Sequence, residues 1–100
     1  MAAAAFLASC AAATAQTSAV DRGLAFATTN CAPCHAIGKT GDSPNGEAPA
    51  LRTLHERYPV ENLEEALAEG IVVGHPDMPQ FQLTPLQIEA LIAYLKTLER

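Results

Sequence analysis

"CAPCH", Cys31 to His35, sets two cysteines three residues apart and places a histidine directly after the second. Thiol exchange, metal binding and cofactor attachment all use cysteines at this spacing, so the surrounding chain has to discriminate. Upstream, Ser18 with Asp21 three residues later forms an N-terminal capping pattern, and Val20, Leu24 and Ala27 recur at helical spacing until Pro33 interrupts. The spacing predicts a helix over Ala19–Asn30 that delivers Cys31 at its end. Downstream, residues 38–50, "GKTGDSPNGEAPA", are rich in Gly, Pro, Asp and Asn with no apolar period, and read as a loop.

The rest of the chain is also helical in period. Leu51, Leu54 and Tyr58 fit a short helix, and Val60, Leu63 and Leu67 fit another that Gly70 ends as a left-handed cap. "IVV" at 71–73 is too short to constitute a sheet. Thr84 as N-cap, Pro85 at the first helical position and Gln87 at N3 open a last helix, with Lys96 and Arg100 toward its negative end. Ile88, Leu91, Ile92, Leu95 and Leu98 give that helix one apolar face, and the first helix is the comparable surface for it to pack on. An all-α domain of three to four helices follows, with its N- and C-terminal helices in contact.

A chain of 100 residues forms one small domain that buries little apolar surface, and this one has no tryptophan and much of its hydrophobic content in alanine. Something besides side chains is expected to fill the core. The formal charge of −5 argues against nucleic acid and anionic membrane surfaces as partners, because either needs clustered Lys and Arg.

The first residues, "MAAAAFLASCAAATA", carry no charge and end in Ala13-Thr14-Ala15, a small-x-small cleavage pattern. We read 1–15 as a signal peptide, although it lacks the opening Lys or Arg of such segments, and 16–100 as the domain. The apolar run is too short to span a bilayer, so no transmembrane segment is expected. Leu7-Ala8-Ser9-Cys10 also fits a lipobox with a lipid anchor at Cys10; small residues before a cysteine arise easily in an alanine-rich stretch, so cleavage after Ala15 is preferred. Cleavage leaves Cys31 and Cys34 as the thiols and Met78 as the methionine.

Thioredoxin-like chemistry needs the cysteine pair at a helix start after a strand, whereas this pair follows a helix. A structural zinc site needs four ligands, and the remaining candidates, His55 and His75, lack a paired-ligand spacing. Covalent haem uses every residue of the motif: Cys31 and Cys34 each add to one vinyl group, and His35 binds the iron. It also supplies the filler the thin core lacks. Met78, flanked by prolines in "GHPDMPQF", sits in a loop that can reach the opposite haem face, and His35/Met78 ligation suits electron transfer. His75 and His55 are expected to face solvent.

From about Arg22 to Leu98 the chain resembles the class I cytochromes c, in their small bacterial form. Gly23 and Phe26 resemble the family's small and aromatic pair on the first helix, and Tyr94 its aromatic partner on the last. Gly38 matches the turn after the haem histidine, and Pro49 the proline whose carbonyl accepts the Nδ1 proton of that histidine. Met78-Pro79 and "LTPLQIEALIAYLKTL" match the methionine loop and closing helix. The resemblance implies a small cytochrome c fold around one covalent haem c, with Cys31, Cys34, His35, Pro49 and Met78 holding the cofactor and His35 and Met78 ligating the metal.

The implied function is a periplasmic, monomeric electron carrier with no catalytic residues, moving single electrons from a dehydrogenase or reductase donor to an oxidase or reductase acceptor. Two alternatives stay open: a haem-based sensor with displaceable Met78, and a dedicated cytochrome subunit of a larger oxidoreductase. The lysine ring of the mitochondrial branch is missing, since residues 16–100 contain only Lys39 and Lys96 as lysines. Docking is expected through an apolar patch at the haem edge or through acids such as Glu61, Glu64 and Glu65, for which a solvated helix face is the plainer explanation.

Overall fold

The computed structural model describes residues 17–70 and 78–99. In chain order these form α1 (Ala19–Asn30), a 3-10 helix (Leu51–Glu56), a single 3-10 turn (Val60–Asn62), α2 (Leu63–Glu69) and α3 (Pro85–Lys96), with no strand among the described residues. The proposed leader, Cys10, "IVV" and His75 lie outside the described residues.

The helix boundaries follow local chemistry. Ser18 is extended and its Oγ accepts from the Asp21 amide at 3.0 Å, so α1 starts where the capping pattern predicted. Thr84 and Gln87 close a complete capping box with Pro85 at N1, and Gly70, at φ 79°, ends α2 in the left-handed conformation. The predicted short helix around Leu51 is a 3-10 helix. At three residues per turn Leu51 and Leu54 stand one above the other, and both are buried.

The domain is organised by the packing of α1 on α3. A Cβ on Gly23 would stand 2.0 Å from the Ala90 carbonyl oxygen and 2.7 Å from Tyr94 Cβ, so only glycine allows the two backbones to come this close. This crossing corrects the expected apolar face of α1: Gly23 and Ala27 are buried, whereas Val20 and Leu24 remain 37 % and 42 % exposed. Small residues carry the contact because it is a close approach of backbones, and the larger side chains stay on its shoulder. Phe26 packs edge-on against Phe81, with ring centroids 6.1 Å apart. Tyr94, buried on α3, donates its hydroxyl to the Ile37 carbonyl at 2.5 Å and so ties the last helix to the segment after His35.

Candidate cofactor site

The motif is a compact turn continuing from α1. The Cys31 amide still donates to Ala27 at 2.8 Å, and the amides of Cys34 and His35 both return to the Cys31 carbonyl, at 3.0 and 2.8 Å. Pro33 has no amide proton and an extension of α1 would lose a bond there, so the chain turns instead. Residues 38–50 then fold back onto this turn. Asn45 donates its amide to the Cys34 carbonyl, Ser43 Oγ accepts from the Ala36 amide, and the Leu51 amide donates to the Ala36 carbonyl. Arg52 adds a bond from Nη2 to the Gly41 carbonyl at 2.8 Å.

The folded-back loop brings Pro49 to His35, whose Nδ1 lies 2.6 Å from the Pro49 carbonyl oxygen. A carbonyl only accepts, so Nδ1 carries the proton and Nε2 is left with its lone pair. That tautomer leaves Nε2 able to bind a metal, and a carbonyl partner on Nδ1 is one of the usual ways of fixing it.

His35 lines a cavity of about 620 Å³, within the range of small-molecule and cofactor sites. Cys31, Cys34, Pro49 and Met78 line the same cavity, so all five residues singled out in the sequence meet in one place. Its walls are largely apolar: Leu51 and Leu54 from the 3-10 helix, Ala66 and Leu67 from α2, Leu91 and Leu95 from α3. Polar groups enter from Asn45, Glu47, Arg57, Tyr58 and Asn62.

Cys31 and Cys34 are unbridged and half-buried, and burial pushes the Cys31 thiol up to about 11. Thiol exchange at neutral pH needs a thiolate, which burial opposes at Cys31, and the pair closes a helix instead of opening one after a strand as disulfide oxidoreductases place it. Among the described residues no group of three or more His, Cys, Asp or Glu side chains is placed to hold a metal ion by itself, and the zinc alternative lacks its ligand set there. A flat, apolar macrocycle carrying its own metal nitrogens and two carboxylates fits this donor set: thiols at one wall, one imidazole nitrogen, one thioether, apolar faces and polar side chains for its carboxylates.

The family model for cytochrome c matches residues 20–99, nearly all of the described domain. This chain belongs to the cytochrome c family. It is a small class I c-type cytochrome, similar to a "Cytochrome c-553-like" protein of Synechocystis sp. (strain ATCC 27184 / PCC 6803 / Kazusa), with 35% identity over 78 residues that cover 78% of this chain and 68% of that protein. No solved structure matches the chain. Cytochromes of this family are haem-bearing electron carriers rather than enzymes, and the cysteine pair of this cytochrome stands as c-type attachment requires.

In this cytochrome His55, expected in solvent, is half-buried, with Nδ1 enclosed and without a hydrogen-bond partner among the described residues. The polar stretch around it suggested exposure, but it stands on the same short 3-10 helix as the buried Leu51 and Leu54. Glu61, expected among free acids, is ion-paired with Lys96 across α3. The loop fasteners Ser43 and Asn45 and the cavity residue Arg57 had no signal in the sequence, because each acts through the way the loop and the 3-10 helix fold back on the motif, while Tyr58, read there as an apolar position of the short helix, turns out to line the cavity.

Proposed function

We propose that this cytochrome is a periplasmic mono-haem carrier of single electrons, with one haem c attached through Cys31 and Cys34 and ligated by His35 and Met78. The observation that carries the reading is the bond from His35 Nδ1 to the Pro49 carbonyl on the wall of a cavity that also holds both cysteines and Met78. The haem supplies a one-electron change between ferrous and ferric iron when bound. The chain's own residues do the rest.

Pro49 holds the His35 ring in one tautomer and orientation, which keeps Nε2 available as a ligand in both redox states. Leu51, Leu54, Leu67, Leu91 and Leu95 exclude water, so little solvent has to reorganise when the charge changes. Arg57, Tyr58 and Asn62 offer a cation, a hydroxyl and an amide to the carboxylates of the group. Residues 1–15 support export, as the uncharged apolar run ending in Ala13-Thr14-Ala15 has the character of a cleaved leader, with 16–100 as the mature domain. Among the described residues no helix is long and apolar enough to cross a membrane. The partners are donor and acceptor redox proteins, met as a monomer.

Absorption spectra of the protein matured in a haem-attaching host, oxidised and reduced, with and without carbon monoxide, test this reading. A c-type spectrum with the far-red band of sulfur-ligated ferric iron and no response to carbon monoxide is expected. Met78→Ala keeps the covalent haem, loses the far-red band and binds carbon monoxide. Ready carbon monoxide binding by the unaltered protein would transfer the assignment to a ligand sensor, and a Met78→Ala variant as resistant as its parent would remove Met78 as ligand.

A further inference from the structure

We infer that the groove between α2 and α3, on the side away from the cofactor cavity, is a docking surface for a basic amphipathic helix of a protein partner. The two helices present different residues to their two sides. Leu63, Ala66 and Leu67 of α2 and Leu91 and Leu95 of α3 line the cavity, whereas Glu64, Glu65 and Ala68 of α2 and Ile88, Glu89 and Ile92 of α3 line the groove. No residue lines both.

The groove has an apolar floor and an acidic rim. Ala68 and Ala93 give the floor its accessible apolar surface, above Ile88 and Ile92, which are themselves buried in the core, with Pro85 at one end. Leu86, 68 % exposed, lies three residues before Glu89 and seven before Ala93, so helical spacing extends the same stripe with a large apolar side chain in solvent. A furrow between two helices accepts the ridge of a third, and an exposed leucine beside it offers an anchor.

Charge decides which helix. Glu64, Glu65 and Glu89 have no ion-pair partner among the described residues, and no cationic side chain lines the groove. Glu61, by contrast, is occupied by Lys96 and is not part of it. Acids at the first turn of α2 are accounted for by the helix dipole, but Glu89 lies beyond the first turn of α3 and faces the same groove. Three carboxylates around one furrow, unpaired among the described residues, repel each other and an anionic membrane, and attract Lys or Arg flanking an apolar stripe.

Eight residues line the groove, far fewer than one side of a standard interface, so binding here belongs to the weak, fast and salt-sensitive class. One helix layer, roughly 10 Å thick, separates this surface from the cavity. A partner seated here touches none of the residues that line the cofactor cavity and so leaves them to a second redox protein. The inference rests on the carrier reading only in expecting a protein partner.

The test is a titration of the reduced, haem-loaded, 15N-labelled protein with a synthetic amphipathic peptide of about 18 residues built from Leu and Lys, long enough for a stable helix. Amide shifts centred on Glu64, Glu65, Ala68, Ile92 and Ala93 are expected, with affinity lowered roughly tenfold in an E64Q/E65Q/E89Q variant and again at high salt. An E56Q/E99Q variant, which removes two acids outside the groove, should bind as the parent does. Shifts centred on Cys31 and Met78 to Phe81, no binding at all, or equal weakening by both variants would overturn the inference. Haem absorbance in the same sample reports separately on the carrier reading.

Discussion

A neutral imidazole has a proton on one ring nitrogen and a lone pair on the other, and in this cytochrome a backbone carbonyl 2.6 Å from Nδ1 decides which is which. The identity of residue 49 matters less for its side chain than for its position, since any residue has a carbonyl; proline contributes a restricted φ and dispenses with an amide donor. Arg57 is the other residue whose role is specific. Among the described residues it is the one cationic side chain that lines the cavity. A positive charge there disfavours ferric iron, so Arg57→Gln should lower the midpoint potential by a few tens of millivolts, read by spectroelectrochemical titration and reduced at high salt. No change would place the guanidinium away from the haem edge.

At the scale of elements the crossing of α1 and α3 is the joint on which the rest depends. Gly23→Ala places a methyl 2.0 Å from a backbone oxygen that cannot rotate away, so the two helices must separate. A loss of about 3 kcal/mol or more is expected, measured by guanidinium unfolding of the loaded protein, with Phe81 and Leu91 displaced as a consequence. The Lys96–Glu61 pair fastens α3 to the 3-10 turn before α2. The Lys96 bond holds Glu61 below the usual carboxylate range, so the stability it contributes is present above the unfolded carboxylate pKa and lost as pH falls through the lower folded value. Lys96, raised by the same bond to Glu61, contributes below its unfolded pKa and loses that contribution as pH rises through the higher folded one. Glu61→Gln should therefore lower the denaturant midpoint slightly at neutral pH and not at all below the acid limb or in concentrated salt.

For the whole molecule the cavity dominates. A cleft of about 620 Å³ left unfilled exposes largely apolar walls to water, and a domain this small has little stability to set against that loss of burial. The domain is thus expected to fold only when filled. A C31S/C34S variant, unable to form either thioether, should show far-UV circular dichroism with most helix signal missing and no cooperative melt, whereas the attached form melts cooperatively. A cooperative, fully helical double variant would mean that side chains alone sustain the fold.

Much of this was legible along the chain because the signals are short-range. Capping boxes, a proline that ends a helix, a glycine that ends another and a five-residue attachment motif each act within a few residues, and the structure places α1, α3, Gly70 and the cysteine turn where those patterns predicted. The thin, alanine-rich core also implied a filler before any cavity was seen. What tertiary structure alone decided depends on residues far apart in sequence: that Val20 and Leu24 stay on the shoulder of the helix crossing that Gly23 and Ala27 bear; that Arg57 reaches the cavity; that His55 is enclosed; and that Lys96 takes Glu61 and leaves Glu89 to join Glu64 and Glu65. Side-chain type sets what a residue is able to do, but its partner is chosen by the packing of elements, and no local pattern contains that choice.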